Sequence, residues 1–212
     1  MIKPWIFTFM QPFQREHPDA YDSALAQRAI RWQIDEMLPR IESIGFEGVF
    51  FSEHHFHGNL SGSPHLYIAA AAMRTTRLRL GVLGAVLPMH QPWRVAEEIG
   101  ILDHLTAGRL EIGYSNGTGP MEPLVVGIPE EELRPRFEES IDIIDRALAE
   151  YEVSHHGRFW GFDALSITPR TLQAMPPKWL TVVSERSTRI AARRGYKACT
   201  AFMSAKDAGV MY

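Results

Sequence analysis

The chain has one cysteine in 212 residues, Cys199. No intrachain disulfide and no thiolate metal cluster can form from it. Its place in an apolar, strand-like stretch marks it as a buried thiol rather than a nucleophile. Charge of one sign is lacking too: 22 Lys and Arg stand against 25 Asp and Glu, a net of -3. With both signs interspersed, nothing favours nucleic acid or an anionic membrane, and the expected partner is a small molecule. No apolar run approaches the ~20 residues of a bilayer span. Met1-Ile2-Lys3-Pro4-Trp5 lacks the basic start, apolar middle and small-residue cleavage site of a secretory signal, so a cytoplasmic location is expected. No Gly-x-Gly-x-x-Gly follows the first strand, which removes the main support for a dinucleotide-binding sheet.

What is there is a repeating β-α pattern. Trp5 to Phe9 predicts a strand ended by Gln11-Pro12. Ile30, Ile34, Met37, Leu38, Ile41 and Ile44 fall on one helical face, with Pro39 as an expected kink and Gly45 as the stop. Phe46 to Ser52 predicts the second strand. Ser63-Pro64 predicts an N-cap and first helical residue, for an alanine-rich helix to about Thr75. Leu78 to Leu87 predicts a third strand, apolar on both faces as a doubly covered strand should be. A helix from Pro92 to Gly108 and a strand from Leu110 to Ser115 follow. The Gly- and Pro-rich segment 116–129 predicts a long loop, and Leu133 to Leu148 a fourth helix.

Residues 153–178 break the pattern and predict an irregular or hairpin excursion. Trp179 to Val183, Ser187 to Arg194 and Lys197 to Met203 predict strand, helix and strand, and 204–212 the start of another helix. Six strands alternating with helices imply a parallel α/β sheet within one domain spanning 1–212. A closed (β/α)8 barrel needs eight strands, so this chain holds about six of eight units. The chain is therefore expected to be a fragment of a longer protein, or to have a partner covering the gap.

The chemistry gathers where strands empty into loops. Gly48-Val49-Phe50-Phe51 runs directly into Glu53-His54-His55-Phe56-His57. His55-x-His57 has a spacing some barrel hydrolases use to hold a metal. The metal reading is weakened because no histidine occurs after His156. The alternatives are an acid/base pair, with His54 as acid or base and Glu53 orienting or charging it, and plain loop histidines. Asn116-Gly117-Thr118-Gly119, Arg136 and Ser184-Glu185-Arg186-Ser187 are candidates for binding one anion, and each alone is also ordinary turn or surface chemistry. Val82 to Pro88 forms an apolar wall suited to a flat cofactor or to core packing. Trp5, Phe9, Phe56, Trp160 and Phe162 are candidate pocket aromatics or core.

At Glu53-His54-His55-Phe56, Val82 to Pro88 with His90-Gln91-Pro92, Leu102 to Arg109, and Val182-Val183-Ser184-Glu185, the sequence resembles the bacterial luciferase-like flavin monooxygenases. The resemblance implies a TIM barrel that binds reduced FMN at the carboxyl ends of its strands, with a separate flavin reductase supplying it. It implies oxygen chemistry through a peroxyflavin on a small, mostly apolar organic substrate. By matching position, His54 is the acid/base, supported by His55 and Glu53. Leu83-Gly84 is the position of a non-prolyl cis peptide against the flavin. Arg136 and the Ser184, Glu185, Arg186, Ser187 loop are expected to hold the phosphate, and Asn116 is a further cofactor-binding candidate. Where luciferase itself has a reactive cysteine and a phosphate-binding arginine, this chain has Ser115 and Asn116, and Arg186 is a candidate substitute. A homodimer is expected from the same resemblance. The competing readings are a deazaflavin-dependent oxidoreductase on the same barrel, a non-catalytic flavin-binding companion subunit and a metal-dependent hydrolase.

Overall fold

The computed structural model describes residues 3–10, 22–56, 58–117, 119, 121–200, 206 and 209. His57, Thr118, the end of the sixth expected strand (201–203) and most of the expected helix at 204–212 lie outside the described residues. The chain divides into two compact units, residues 1–85, 110–115 and 177–212, and residues 86–109 and 116–176.

The first unit is built on a parallel sheet. Its strands are β1 (Trp5–Thr8), β2 (Gly48–Phe51), β3 (Arg79–Val82), β5 (Leu110–Ser115), β8 (Lys178–Thr181) and β9 (Lys197–Cys199), paired in that order. A two-residue strand, β4 (Ala85–Val86), pairs with β5 off this path. Every residue of β2 is buried, as expected of a parallel strand covered on both faces. Between β1 and β2 run α1 (Ser23–Trp32), a π-helical turn (Gln33–Met37) and α2 (Leu38–Ser43). Pro39 accounts for the π turn. It has no N–H to give Asp35 and its ring crowds that carbonyl, so the helix widens just before it and the Leu38 amide bonds Gln33 instead. Gly45 then ends α2 with φ +94°, a conformation with little steric cost only for glycine. α3 (Pro64–Ala72) begins after Ser63, whose side chain makes no capping bond. The expected cap is thus present in position only.

The expected third strand is interrupted. β3 stops at Val82, the Leu83-Gly84 peptide is cis, and after β4 the chain turns through a 3-10 segment, Leu87–Met89, where Pro88 lacks the N–H that a ladder requires. The cis peptide falls where the resemblance puts it. Cys199, expected to be buried, is half-buried in β9, and burial pushes its thiol pKa up.

In the second unit α4 (Pro92–Leu105) packs on α6 (Glu130–Ala149). Phe137, Ile141, Ile144 and Leu148 recur along one face of α6 and are buried, each contributing about 1.5–3 kcal/mol. Segment 116–129 is not all loop: α5 (Met121–Val126) forms within it, since Pro123 falls in the first turn, where proline is tolerated. Residues 153–178 contain an antiparallel hairpin of β6 (Val153–His156) and β7 (Gly161–Leu165). Arg170 donates to the carbonyls of Ala147 and Leu148, closing the end of α6 against its negative dipole.

Candidate active site

Parallel register sets the site. Phe51 pairs with Val82, and Tyr114 with Leu180, so the residues that follow β2, β3 and β8 emerge at one edge of the first unit's sheet. Glu53, His54 and His55 follow β2, Leu83 and Gly84 follow β3, and Ser184 to Ser187 follow β8. The Leu83 amide donates to the Phe51 carbonyl at 2.9 Å, tying the cis peptide to the end of β2.

The loop after β2 is fastened at its neck. The His54 amide donates to the Ser61 carbonyl, the Ser52 and Ser61 hydroxyls lie 3.4 Å apart, and the Leu60 amide donates to Met10. Tyr67 donates its hydroxyl to the Leu60 carbonyl at 2.6 Å. Inside this frame the Glu53 carboxylate, 1% exposed, meets His55 Nε2 at 3.0 Å. A buried carboxylate needs such a partner, and the pairing fixes the ring of His55. His54 is held differently: its ring stacks on Phe9 with centroids 5.7 Å apart and planes at 17°. Glu53 therefore anchors His55.

Around the helix after β8, α7 (Glu185–Arg194), Ser184 and Ser187 form a reciprocal capping box. Ser184 Oγ accepts from the Ser187 amide, and Ser187 Oγ accepts from the amides of Ser184 and Val183. These hydroxyls are committed to the backbone, so any anion here is met by the dipole and the remaining first-turn amides. The Glu185 carboxylate turns to Arg189.

Asn116 and Arg136 belong to the second unit. Asn116 follows β5 directly, and its Oδ1 is buried with no hydrogen-bond donor. Such an oxygen suits a ligand hydroxyl or N–H. Arg136 donates to Glu132 through Nε and Nη2, at 3.1 and 2.9 Å, and lies 4.4 Å over the Phe159 ring. Among the described residues no group of three His, Cys, Asp or Glu is placed to hold a metal ion.

Sequence reasoning missed two carboxylate anchors. Glu42 accepts from the consecutive amides of Thr76, Arg77 and Leu78, and Glu139 from those of Arg158, Phe159 and Trp160 and from His155. No local motif marks either.

The sequence pattern of the family described as luciferase-like monooxygenase matches residues 8–211. The chain belongs to this family. It is 35% identical over 191 residues to 4-hydroxyprotoasukamycin monooxygenase of Streptomyces nodosus subsp. asukaensis, covering 88% of this chain and 50% of that protein. Its fold is similar to that of a monooxygenase from Streptomyces bottropensis, with TM-score 0.80 and 28% identity over 93% of this chain and 59% of the other. It is also similar to the oxygenating constituent of 3,6-diketocamphane monooxygenase from Pseudomonas putida, solved in complex with FMN. There the TM-score is 0.82 and the identity 22%, over 99% of this chain and 61% of that one, a likeness of fold alone. The parallel sheet is accordingly part of a luciferase-like TIM barrel. The chain spans about half the length of the curated relatives it matches.

Proposed function

We propose that this chain carries the flavin-side half of an FMN-dependent monooxygenase that uses reduced FMN and oxygen on a small, mostly apolar organic substrate. The observation that carries the reading is the Glu53–His55 pair set beside the Phe9-stacked His54 at the carboxyl end of β2, in a chain of the luciferase-like family. The residues fit a flavin. In the first unit the apolar Leu83-Gly84 segment offers a wall for a ring system and the amides of the first turn of α7 would take a phosphate. In the second, Asn116 Oδ1 is a buried acceptor and Arg136 a cation, and each is of the kind a flavin's polar groups require. Reduced FMN, when bound, supplies the electrons that activate oxygen.

The chain's own groups hold and move the proton. His54 acts as acid or base at the reacting oxygen, its plane held by Phe9, while Glu53 fixes His55 beside it. The structural relative from Pseudomonas putida is described as an oxygenating constituent, which supports a separate flavin reductase as partner. A cytoplasmic homodimer completes the reading, with the exposed Leu66 of α3 and Met73 just after it as apolar contact surface. Among the described residues no helix is long and apolar enough to cross a membrane.

Titration with reduced FMN, oxidised FMN and the deazaflavin, followed by absorbance and fluorescence, tests this. Tightest binding of reduced FMN is expected. Preference for the deazaflavin would replace oxygen chemistry by hydride transfer.

A further inference from the structure

We propose that Phe9 and Phe56 determine substrate specificity, flanking the His54–His55 pair and selecting a substrate whose apolar part is a planar aromatic ring system. The proposal rests on the oxygenase reading above and names the substrate class of that site.

Both rings are exposed beside the two histidines. Phe9 is 37% exposed and Phe56 48%, whereas Trp5, on the same strand as Phe7, stacks on Phe50 with centroids 4.6 Å apart. Phe9 lies face to face with His54 and receives Phe7 edge-on at 4.8 Å, so a flat aromatic surface runs up to the imidazole. The Phe56 ring stands 5.9 Å from that of His55, tilted by 47°.

Phe56 is also held at φ +62°, a left-handed conformation that is unusual for a bulky residue. Its carbonyl accepts from both the backbone and the side-chain amide of Asn59, each at 2.9 Å. The fastened neck of the loop keeps that geometry in place. Strain of this kind persists where the surroundings enforce it, and here it presents an apolar ring outward beside the polar Glu-His-His tip. Two phenyl rings flanking two imidazoles match a ligand with one reactive polar group on an aromatic frame. Ring-to-ring contact adds affinity that an aliphatic chain of equal area does not gain.

The test is calorimetric binding of 2-naphthaldehyde and of decanal to the intact chain, with FMN binding measured separately by fluorescence. Wild type is expected to bind 2-naphthaldehyde about tenfold more tightly than decanal. Phe9→Leu and Phe56→Asn should each cut that preference by about three- to tenfold with FMN affinity unchanged. Asparagine tolerates the left-handed backbone, so Phe56→Asn removes the ring without unfolding the loop, and Phe9→Tyr should restore the preference. Tighter binding of decanal, binding of neither aldehyde, or a preference unchanged in both variants would overturn the proposal. Failure of wild type to bind FMN, with the aldehyde preference intact, would overturn the flavin reading and leave the aromatic recognition standing.

Discussion

His55 Nε2 lies 3.0 Å from Glu53 Oε1, and the carboxylate is 1% exposed while the imidazole is 25% exposed. The pair is thus closed on one side and open on the other. Glu53 is an internal anchor and His55 reaches the surface of the site, while the His54 ring stacks on Phe9.

This arrangement separates the roles of Glu53 and His54 by mutation. His54→Ala is expected to abolish oxygenation while leaving flavin binding within about tenfold, because an acid/base residue acts mainly on the chemical step. Glu53→Ala is expected to cost about 2 kcal/mol in urea unfolding, less than the ~3–5 kcal/mol of a fully buried pair because His55 is partly solvated. Equal loss of flavin binding in His54→Ala would remove it from the acid/base role.

Gly84 is required by close approach. A Cβ built there would lie 2.5 Å from the Tyr114 carbonyl carbon and 2.7 Å from its oxygen, both backbone atoms that cannot move aside singly. Gly84→Ala is therefore expected to destabilise by about 3 kcal/mol or more, seen as a lowered Tm by circular dichroism. An unchanged Tm would mean that β3 and β5 can separate locally at little cost.

The strand ends that carry the Glu-His-His tip and the Ser184 to Ser187 loop were legible in the sequence because apolar period and turn residues are local, whereas the capping box of Ser184 and Ser187 was not read from it. Loop 116–129 was misread because Gly and Pro signal a turn without forbidding a short helix, and α5 places Pro123 in its tolerant first turn. The pairing of Glu53 with His55 was not legible, since adjacent side chains differ in direction and the fold decides which of them come within bonding distance. Glu42 and Glu139 were hidden for another reason. The amides they accept lie 34 to 36 and 19 to 21 residues away, beyond any local pattern.

Glu139 ties stability to acid pH. Burial alone would raise its carboxyl pKa, but the hydrogen bond from His155, the amides of Trp160 and Phe159 and the His155 charge together outweigh it and lower the pKa from its ordinary 4.5. With the folded value depressed, the stabilisation is present above the unfolded value and is lost as pH falls through the folded one. Wild type should therefore lose stability on acidification below about pH 4.5 more steeply than Glu139→Gln. At pH 7 the variant should be about 1.5–3 kcal/mol less stable, the range for hydrogen bonds to a charged group. Parallel pH-stability curves would show that Glu139 is not the group responsible.

At Glu111 the cost of a substitution depends on which partner is removed. Glu111 is 2% exposed in β5, accepts from Arg79 and from Trp179 Nε1 at 2.5 Å, and has Lys197 Nζ at 3.4 Å. These partners stand near the amino-terminal ends of β3, β8 and β9, away from the edge that bears the histidines. Removing the carboxylate strands the cations, of which Arg79 is only 25% exposed, so Glu111→Ala should cost about 3 kcal/mol. Removing Arg79 alone leaves the carboxylate with Trp179 and Lys197, so Arg79→Ala should cost less. In the double variant the stranded charge of Arg79 is gone, and its loss should fall short of the sum of the two singles by about 1–2 kcal/mol. Additive losses in urea unfolding would mean that Lys197 and water, rather than Arg79, balance Glu111. Flavin binding should stay unchanged in all three variants, because the network lies at the opposite ends of the strands.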